Sequence, residues 1–324
     1  YGLYNSQEDV WCERVFMPDT DMEELMRQNG IKLFGLESRD AIDTFDFIGF
    51  TLQYELSFTA ILNMLELAGL PLHAAERDSS YPLVIAGGPC TCNPEPIADF
   101  FDLFILGEGE EVSLELNDLY RRHKSQGYDK DKFLKEAVKI EGVYVPSLYD
   151  ISYNYDGTIA SVDACDGAPA KVKKRIVGDL NTAYYPESFV VPYIDIVHDR
   201  AMSEVFRGCI RGCRFCQAGF IYRPVREKSP EVIDAQSRSL CESTGYEEFS
   251  LSSLSTSDYS EIERLLPMLL DWAEDQQTNI SLPSLRIDGF SQELAARLNV
   301  LRRSGLTFAP EAGTQRLRDA INKN

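Results

Sequence analysis

The sequence contains no apolar run of the ~20 residues that a membrane span requires, so no spanning helix and no membrane partner are expected. Positive charge is also short: 32 Lys and Arg stand against 52 Asp and Glu, a net charge of −20. Such a surface repels phosphate backbones and anionic lipid, which argues against tight nonspecific binding to DNA or membranes and leaves only a local basic patch. Cysteine is sparse, eight in 324 residues, too few for a secreted disulfide scaffold, and the start shows no signal-peptide pattern. A reducing, cytoplasmic setting is therefore expected. With 44% hydrophobic and 26% charged residues, 21 Gly and 15 Pro, the disordered, collagenous and low-complexity classes fall away. At ~150 residues per domain the length predicts two domains, each able to bury a core.

What is present is alternation. Apolar runs at 46–52 (DFIGFTL), 83–86 (LVIA) and 103–106 (LFIL) read as strands of a parallel α/β sheet. Between the first two, Phe58, Ile61, Leu62, Leu65 and Leu67 keep helical spacing until Gly69 and Pro71 stop it. Glycine loops follow two strands directly, Gly87-Gly88-Pro89 and Gly107-Glu108-Gly109-Glu110, and such loops line the ligand crevice of a doubly wound sheet. From about 123 to 192 the pattern weakens, with turn signals at Asp156-Gly157 and Asp166-Gly167, and a small β-rich connector is expected. The alternation then resumes with an extended stretch at 201–206. Ser229, Pro230 and Gly245 mark the ends of a helix. Strands are expected at 248–251, 280–282 and 306–308, and helices at about 259–275 and 291–304, the latter stopped by Gly305. Repeated strand-helix units build a parallel barrel.

Three of the eight cysteines are bunched. The segment Arg207-Gly-Cys-Ile-Arg-Gly-Cys-Arg-Phe-Cys-Gln217 spaces Cys209, Cys213 and Cys216 as Cys-x-x-x-Cys-x-x-Cys. In a cytosolic chain, clustered thiols read first as metal ligands. At this separation they can wrap one cubane cluster, with Gly208 and Gly212 letting the backbone bend closely around it. Three thiolates serve three of four irons and leave the fourth open to a ligand, as an open position does at catalytic zinc. Two other readings stand beside this one. One is zinc, with His198 as fourth ligand; the other is a non-catalytic iron-sulfur or electron-transfer protein. Cys241 falls within the helix after Ser229.

The Cys-x-x-x-Cys-x-aromatic-Cys pattern at Cys209, Cys213, Phe215 and Cys216 resembles the signature of the radical S-adenosylmethionine (SAM) superfamily. The resemblance implies a 4Fe-4S cluster on the first strand-to-helix loop of a partial (β/α)6 barrel. There SAM binds the open iron and is cleaved to a 5′-deoxyadenosyl radical. It places Phe215 near the adenine. By position in the same family, Ser252 and Ser253 in Leu251-Ser-Ser-Leu-Ser255 approach the SAM amine, although the usual Gly-Gly-Glu type motif is not found there. Ser281-Leu-Pro-Ser-Leu-Arg286 resembles the third-strand segment of radical SAM methylthiotransferases and places Ser284 and Arg286 toward the SAM carboxylate and ribose. A guanidinium fork suits a carboxylate. Ala309-Pro-Glu-Ala-Gly313 brings Glu311 toward the SAM polar groups. The methylthiotransferase likeness implies RNA as a substrate class, with Arg207, Arg211 and Arg214 as local positive charge and flavodoxin or ferredoxin as reductant.

The part before the connector resembles the cobalamin-binding-like domain that precedes many radical SAM cores, with Gly107 and Gly109 of the Gly-Glu-Gly-Glu run at its ligand loop. The resemblance extends over nearly the whole chain, to proteins of this kind without a settled substrate. It implies an N-terminal Rossmann-like domain at 1–122, a connector at 123–195 and a radical SAM core at 196–324. Cobalamin is the cofactor that such a domain suggests. The Asp-x-His-x-x-Gly motif that supplies a lower axial His does not occur here, and His73, His123 and His198 have other contexts. The chain opens on Tyr1 and stops at Asn324 within a helical pattern, so a fragment lacking both ends is expected, with an exposed strand edge that favours aggregation.

Overall fold

The computed structural model describes residues 1–282 and 309–323. The chain forms two compact units, Tyr1–Val177 and Gly178–Asn324. Both are mixed α/β, and in each a small, mostly or wholly parallel sheet carries the core.

In the first unit β1 (Phe47–Thr51), β2 (Leu83–Gly87) and β3 (Leu103–Ile105) run parallel, and β4 (Val143–Tyr144) closes the order β1-β2-β3-β4 antiparallel to β3. The expected strands are there. Leu83, Val84, Ile85 and Ala86 are all buried, which is why that strand reads as an unbroken apolar run rather than an alternating one. The helix Phe58–Leu67 buries Ile61, Met64, Leu65 and Leu67. The helix Gly109–Ser125 buries Val112, Leu116, Leu119 and Tyr120, an i, i+4, i+7, i+8 stripe. Glu110 and Glu111 begin it and Arg122, His123 and Lys124 end it, each sign suited to its end of the helix dipole.

The stretch after 122 differs from the expected β-rich connector. It opens with a helix, Lys130–Ala137, which Asp129 caps through its side chain, before the hairpin of β5 (Tyr149–Tyr153) and β6 (Ile159–Ala164). Phe133, Leu134 and Ala137 supply that helix with an apolar face three and four residues apart, and they are buried in the first core. The lysines and acids between them mask the stripe in composition. Beneath it lies a buried ionic group: the carboxylate of Asp102 accepts from Val84 N at 2.7 Å and pairs with Arg77 at 3.3 Å and Lys130 at 2.6 Å.

In the second unit β7 (Ala201–Glu204) leads to β8 (Phe206–Arg207), which pairs antiparallel with β9 (Arg226–Glu227). Next come β10 (Glu248–Ser252) and β11 (Asn279–Ser281), and β11-β10-β7 form a parallel sheet with Ser252 opposite Glu204. The single extended stretch expected at 201–206 is thus two strands. Val205 N donates to Ser252 O and its carbonyl accepts from Lys228 N, so the chain changes partner at Val205 and turns out of the sheet. The helix Pro230–Thr244 has the expected ends: Ser229 Oγ accepts from Val232 N, Pro230 takes the first turn, and Gly245 is left-handed at φ 74°. The helix Ile262–Asp275 buries Leu265, Leu266, Leu269, Leu270, Trp272 and Ala273, with Trp272 stacked on Phe249 at 5.2 Å. The helix expected at 291–304 and the strand at 306–308 lie outside the described residues.

Candidate metal centre

The cysteine loop hangs from the C-terminal end of the β7–β8 segment and enters a short helix, Ala218–Ile221. Gly208 takes φ 88°, and a Cβ there would stand 2.8 Å from Pro224 O and 2.9 Å from Tyr222 O, so only glycine allows the loop to close so tightly. Cys209, Cys213 and Cys216 are free and half-exposed. Two of the sulfurs accept backbone N–H groups, Cys209 Sγ from Arg211 at 3.4 Å and Cys216 Sγ from Gly219 at 3.3 Å. Donors aimed at sulfur suit thiolate ligands, whose charge they offset. The donor set therefore fits an iron-sulfur cluster.

A single ion is a different demand. Among the described residues no group of three or more His, Cys, Asp or Glu side chains converges to hold one. His198 precedes β7 whereas the cysteines follow it, and His198 Nδ1 lies 3.1 Å from Arg200 Nη2. Cys241 is buried in the helix core of the second unit, and burial pushes its thiol up to about 11.

The structure gathers Phe215 and Glu311 although 95 residues separate them. Arg214 N donates to Ile321 O at 2.9 Å and its guanidinium to Ala320 O at 2.7 Å, while Asn322 Nδ2 donates to Gly212 O at 2.8 Å. These bonds seat the helix Gln315–Ala320 on the cysteine loop. Lys323 then pairs with Glu311 at 3.1 Å and stands 5.8 Å over the ring of Phe215. Ser252 ends β10 beside the loop's strand, and Ser253, just after it, shares through Oγ a 2.9 Å hydrogen bond with Thr256 Oγ1. Ser284 and Arg286 lie outside the described residues.

Sequence reasoning took Arg207, Arg211 and Arg214 as local positive charge around the cluster, for RNA or to balance the anionic cluster and the SAM carboxylate. The structure gives each a partner within the chain. Arg207 forks onto Glu204 at 2.8 and 3.1 Å, Arg211 forks onto Asp258, and Arg214 binds the carbonyl of Ala320. Asp258 was missed, because in Ser255-Thr-Ser-Asp258 it reads as an ordinary turn acid; Ser255 Oγ does donate to it at 2.7 Å. Lys323 was missed for want of any local pattern.

In the first unit Gly107 has φ 105°, and a Cβ on it would meet Arg175 O and Lys174. The close approach this glycine permits is to the chain itself: Glu108 N donates to Arg175 O at 3.1 Å and Arg175 N to Leu106 O at 2.9 Å. Gly109 begins the following helix, while Glu108 Oε2 accepts from Val177 N at 2.6 Å. Gly88, at φ 101°, is likewise packed on the backbone of Leu52. His73 packs on Phe100 at 5.1 Å and His123 on Phe133 at 5.6 Å. Gly107 and Gly88 are thus packed on the chain's own backbone, and the two imidazole rings are held in packing contacts.

Two family models match. That of radical SAM proteins, N-terminal, covers residues 1–146, and that of the Radical SAM superfamily covers residues 203–324. The uncharacterized protein MJ0966 of Methanocaldococcus jannaschii is 31% identical over 300 residues, 92% of this chain and 56% of that protein. Among solved structures, the radical S-adenosylmethionine methyltransferase TsrM from Kitasatospora setae, with tryptophan substrate and a SAM analog bound, superimposes with a TM-score of 0.54 at 13% identity. It covers 94% of this chain and 54% of its own. The cobalamin-dependent S-adenosylmethionine radical enzyme OxsB, with aqua-cobalamin and SAM bound, gives 0.52 at 14% identity over 86% of this chain and 37% of its own. At those identities the likeness is one of fold, and the chain spans about half the length of the first relatives it matches. With both models drawn from radical SAM proteins and together covering most of the sequence, the chain belongs to the radical SAM superfamily.

Proposed function

We propose that this chain carries the cluster-binding core of a radical SAM enzyme, in which Cys209, Cys213 and Cys216 hold three irons of a 4Fe-4S cluster and the fourth iron takes the amine and carboxylate of SAM. When bound and reduced, that cluster supplies the electron that cleaves SAM to a 5′-deoxyadenosyl radical. The observation that carries this reading is the three-thiol loop itself, tightly closed at Gly208, with backbone N–H groups on two of its sulfurs. In this reading Phe215 offers its half-exposed ring to the adenine, Ser252 and Ser253 lie toward the amine, Ser284 and Arg286 toward the carboxylate and ribose, and Glu311 toward the remaining polar groups. Lys323 holds the Glu311 carboxylate in place beside Phe215.

The finer architecture belongs to the same proposal: a Rossmann-like, cobalamin-binding-like domain, a connector, and the strand-helix units of a partial barrel that begins at β7. Gly107, packed on Arg175, and Gly109, which opens the helix that follows, mark the ligand loop of that domain, and no step is assigned to cobalamin. A flavodoxin or ferredoxin supplies the electron, in a cytoplasmic setting. RNA as substrate draws its support from the likeness of 281–286 to methylthiotransferases, and RNA of a deletion strain that lacks no modification by mass spectrometry would remove it.

The test is electron paramagnetic resonance of the anaerobically reconstituted, dithionite-reduced protein with and without SAM. A 4Fe-4S signal altered by SAM is the expected result. A cluster indifferent to SAM moves the chain to electron transfer, and one zinc per chain with no cluster signal moves it to metal binding.

A further inference from the structure

The cysteine loop is tied to the sheet by one charged fork whose partner lies far along the chain. Arg211 Nε donates to Asp258 Oδ2 at 2.9 Å and Nη2 to Oδ1, across 47 residues. The Asp258 side chain is only 7% exposed and that of Arg211 31%. Asp258 is itself fixed: Ser255 Oγ donates to its Oδ2 at 2.7 Å, and its backbone N–H to Ser255 O at 2.8 Å, in the turn that follows β10. Among the described residues, residue 211 is then held at three or more points. Its side chain is forked onto Asp258, its carbonyl accepts from Arg223 Nη2 at 3.1 Å, and its N–H points to Cys209 Sγ at 3.4 Å.

We propose that Asp258 is a positioning residue for the cysteine loop, holding Arg211 so that its backbone N–H stays aimed at the Cys209 sulfur. This rests on the loop being a cluster site, as argued under Proposed function. The physical case is that a forked guanidinium-carboxylate pair fixes direction as well as distance, and a largely buried carboxylate strongly resists losing its partner. A hydrogen bond to a ligating sulfur favours the reduced, more negative cluster and so raises its potential. The neighbouring arginines make other contacts: Arg207 binds Glu204 three residues away, and Arg214 takes carbonyls of the segment after Thr314.

The experiment follows amide hydrogen exchange over residues 209–216 in cluster-free wild type, Asp258→Asn, Asp258→Glu and Arg211→Lys. The midpoint potential of each is then measured after anaerobic reconstitution. Asp258→Asn and Arg211→Lys are expected to exchange those amides about tenfold faster, with the rest of the second unit unchanged and the potential more negative. Asp258→Glu, which keeps the charge, is expected to restore much of both. Wild-type exchange in Asp258→Asn and Arg211→Lys, or an increase spread evenly over the unit, overturns the anchoring role. An unchanged potential overturns the effect on Cys209. If Asp258→Asn does not fold, Arg211→Lys, which retains the charge and stem but not the fork, carries both measurements. A wild type that takes no cluster sinks the proposed function, while the exchange result still decides the anchor.

Discussion

Asp102 holds two cations, Arg77 and Lys130, with its side chain 1% exposed. Replacing it by Asn leaves both cations buried beside a neutral amide, so Asp102→Asn is expected to cost about 3–5 kcal/mol of stability. Urea unfolding checks this, and a midpoint within error of wild type would show the group to be dispensable. In the proposed cluster site each thiol is one third of the ligand set, so Cys209→Ala, Cys213→Ala and Cys216→Ala should each abolish the cubane signal and SAM cleavage. Cys241→Ala should leave both intact, since burial in the helix core raises that thiol to about 11 and away from ligation. Equal damage from Cys241→Ala, read by iron content and paramagnetic resonance, would replace the three-thiol site with a four-thiol one. The cysteines were legible because their spacing is local and chemically rare. Asp258 and Lys323 were not, because a single acid or lysine acquires meaning only from the distant group it meets.

Elements formed where short-range rules agree with burial. The helix after Ser229 shows the expected cap, first-turn proline and left-handed glycine, each fixed by the backbone needs of a helix end. Ser229→Ala should cost about 1 kcal/mol, measured by thermal or urea midpoint, and no loss would mean that the cap is idle. Gly107 offers a sharper test at the junction of β3 and the helix Gly109–Ser125. Its φ of 105° and the nearness of Arg175 O make Gly107→Ala strained on two counts. Gly127→Ala, at φ 90° with nothing within 4 Å, is strained on one. The first should destabilise by more than about 1 kcal/mol and by more than the second. The reverse order in paired urea titrations would remove the packing role given to Gly107. The break at Val205 escaped the sequence because 201–206 is uniformly extended, and only the choice of hydrogen-bond partner divides it into β7 and β8.

On the scale of the whole molecule, the chain between β6 and β7 carries no helix or strand. Within it Tyr193, Val197 and Ile194 are 108%, 94% and 77% exposed. Exposed backbone without ladder hydrogen bonds is where proteases enter. Limited chymotrypsin digestion should therefore cut within 184–197 before any site in the two cores. First cleavage inside β2 or the helix Pro230–Thr244 would contradict that order of stability. Charge acts at this scale too: at a net −20 the chain repels itself, and its melting temperature should rise as salt is raised from about 10 to about 150 mM. A flat salt response by calorimetry would place the repulsion below the local pairs.

The sequence by itself determined the parallel strands of the first unit, the capped helices, the three-thiol loop and the family signature. All of these depend on neighbours within a few residues, where backbone geometry and hydrophobic period leave few alternatives. Tertiary structure alone decided which way the arginines face, that Gly107 is covered by Arg175, that Glu311 and Phe215 share Lys323, and that Asp258 holds the loop. Most of these depend on residues tens to about a hundred positions apart, and their energy arises only when folding brings charge to charge and backbone to backbone.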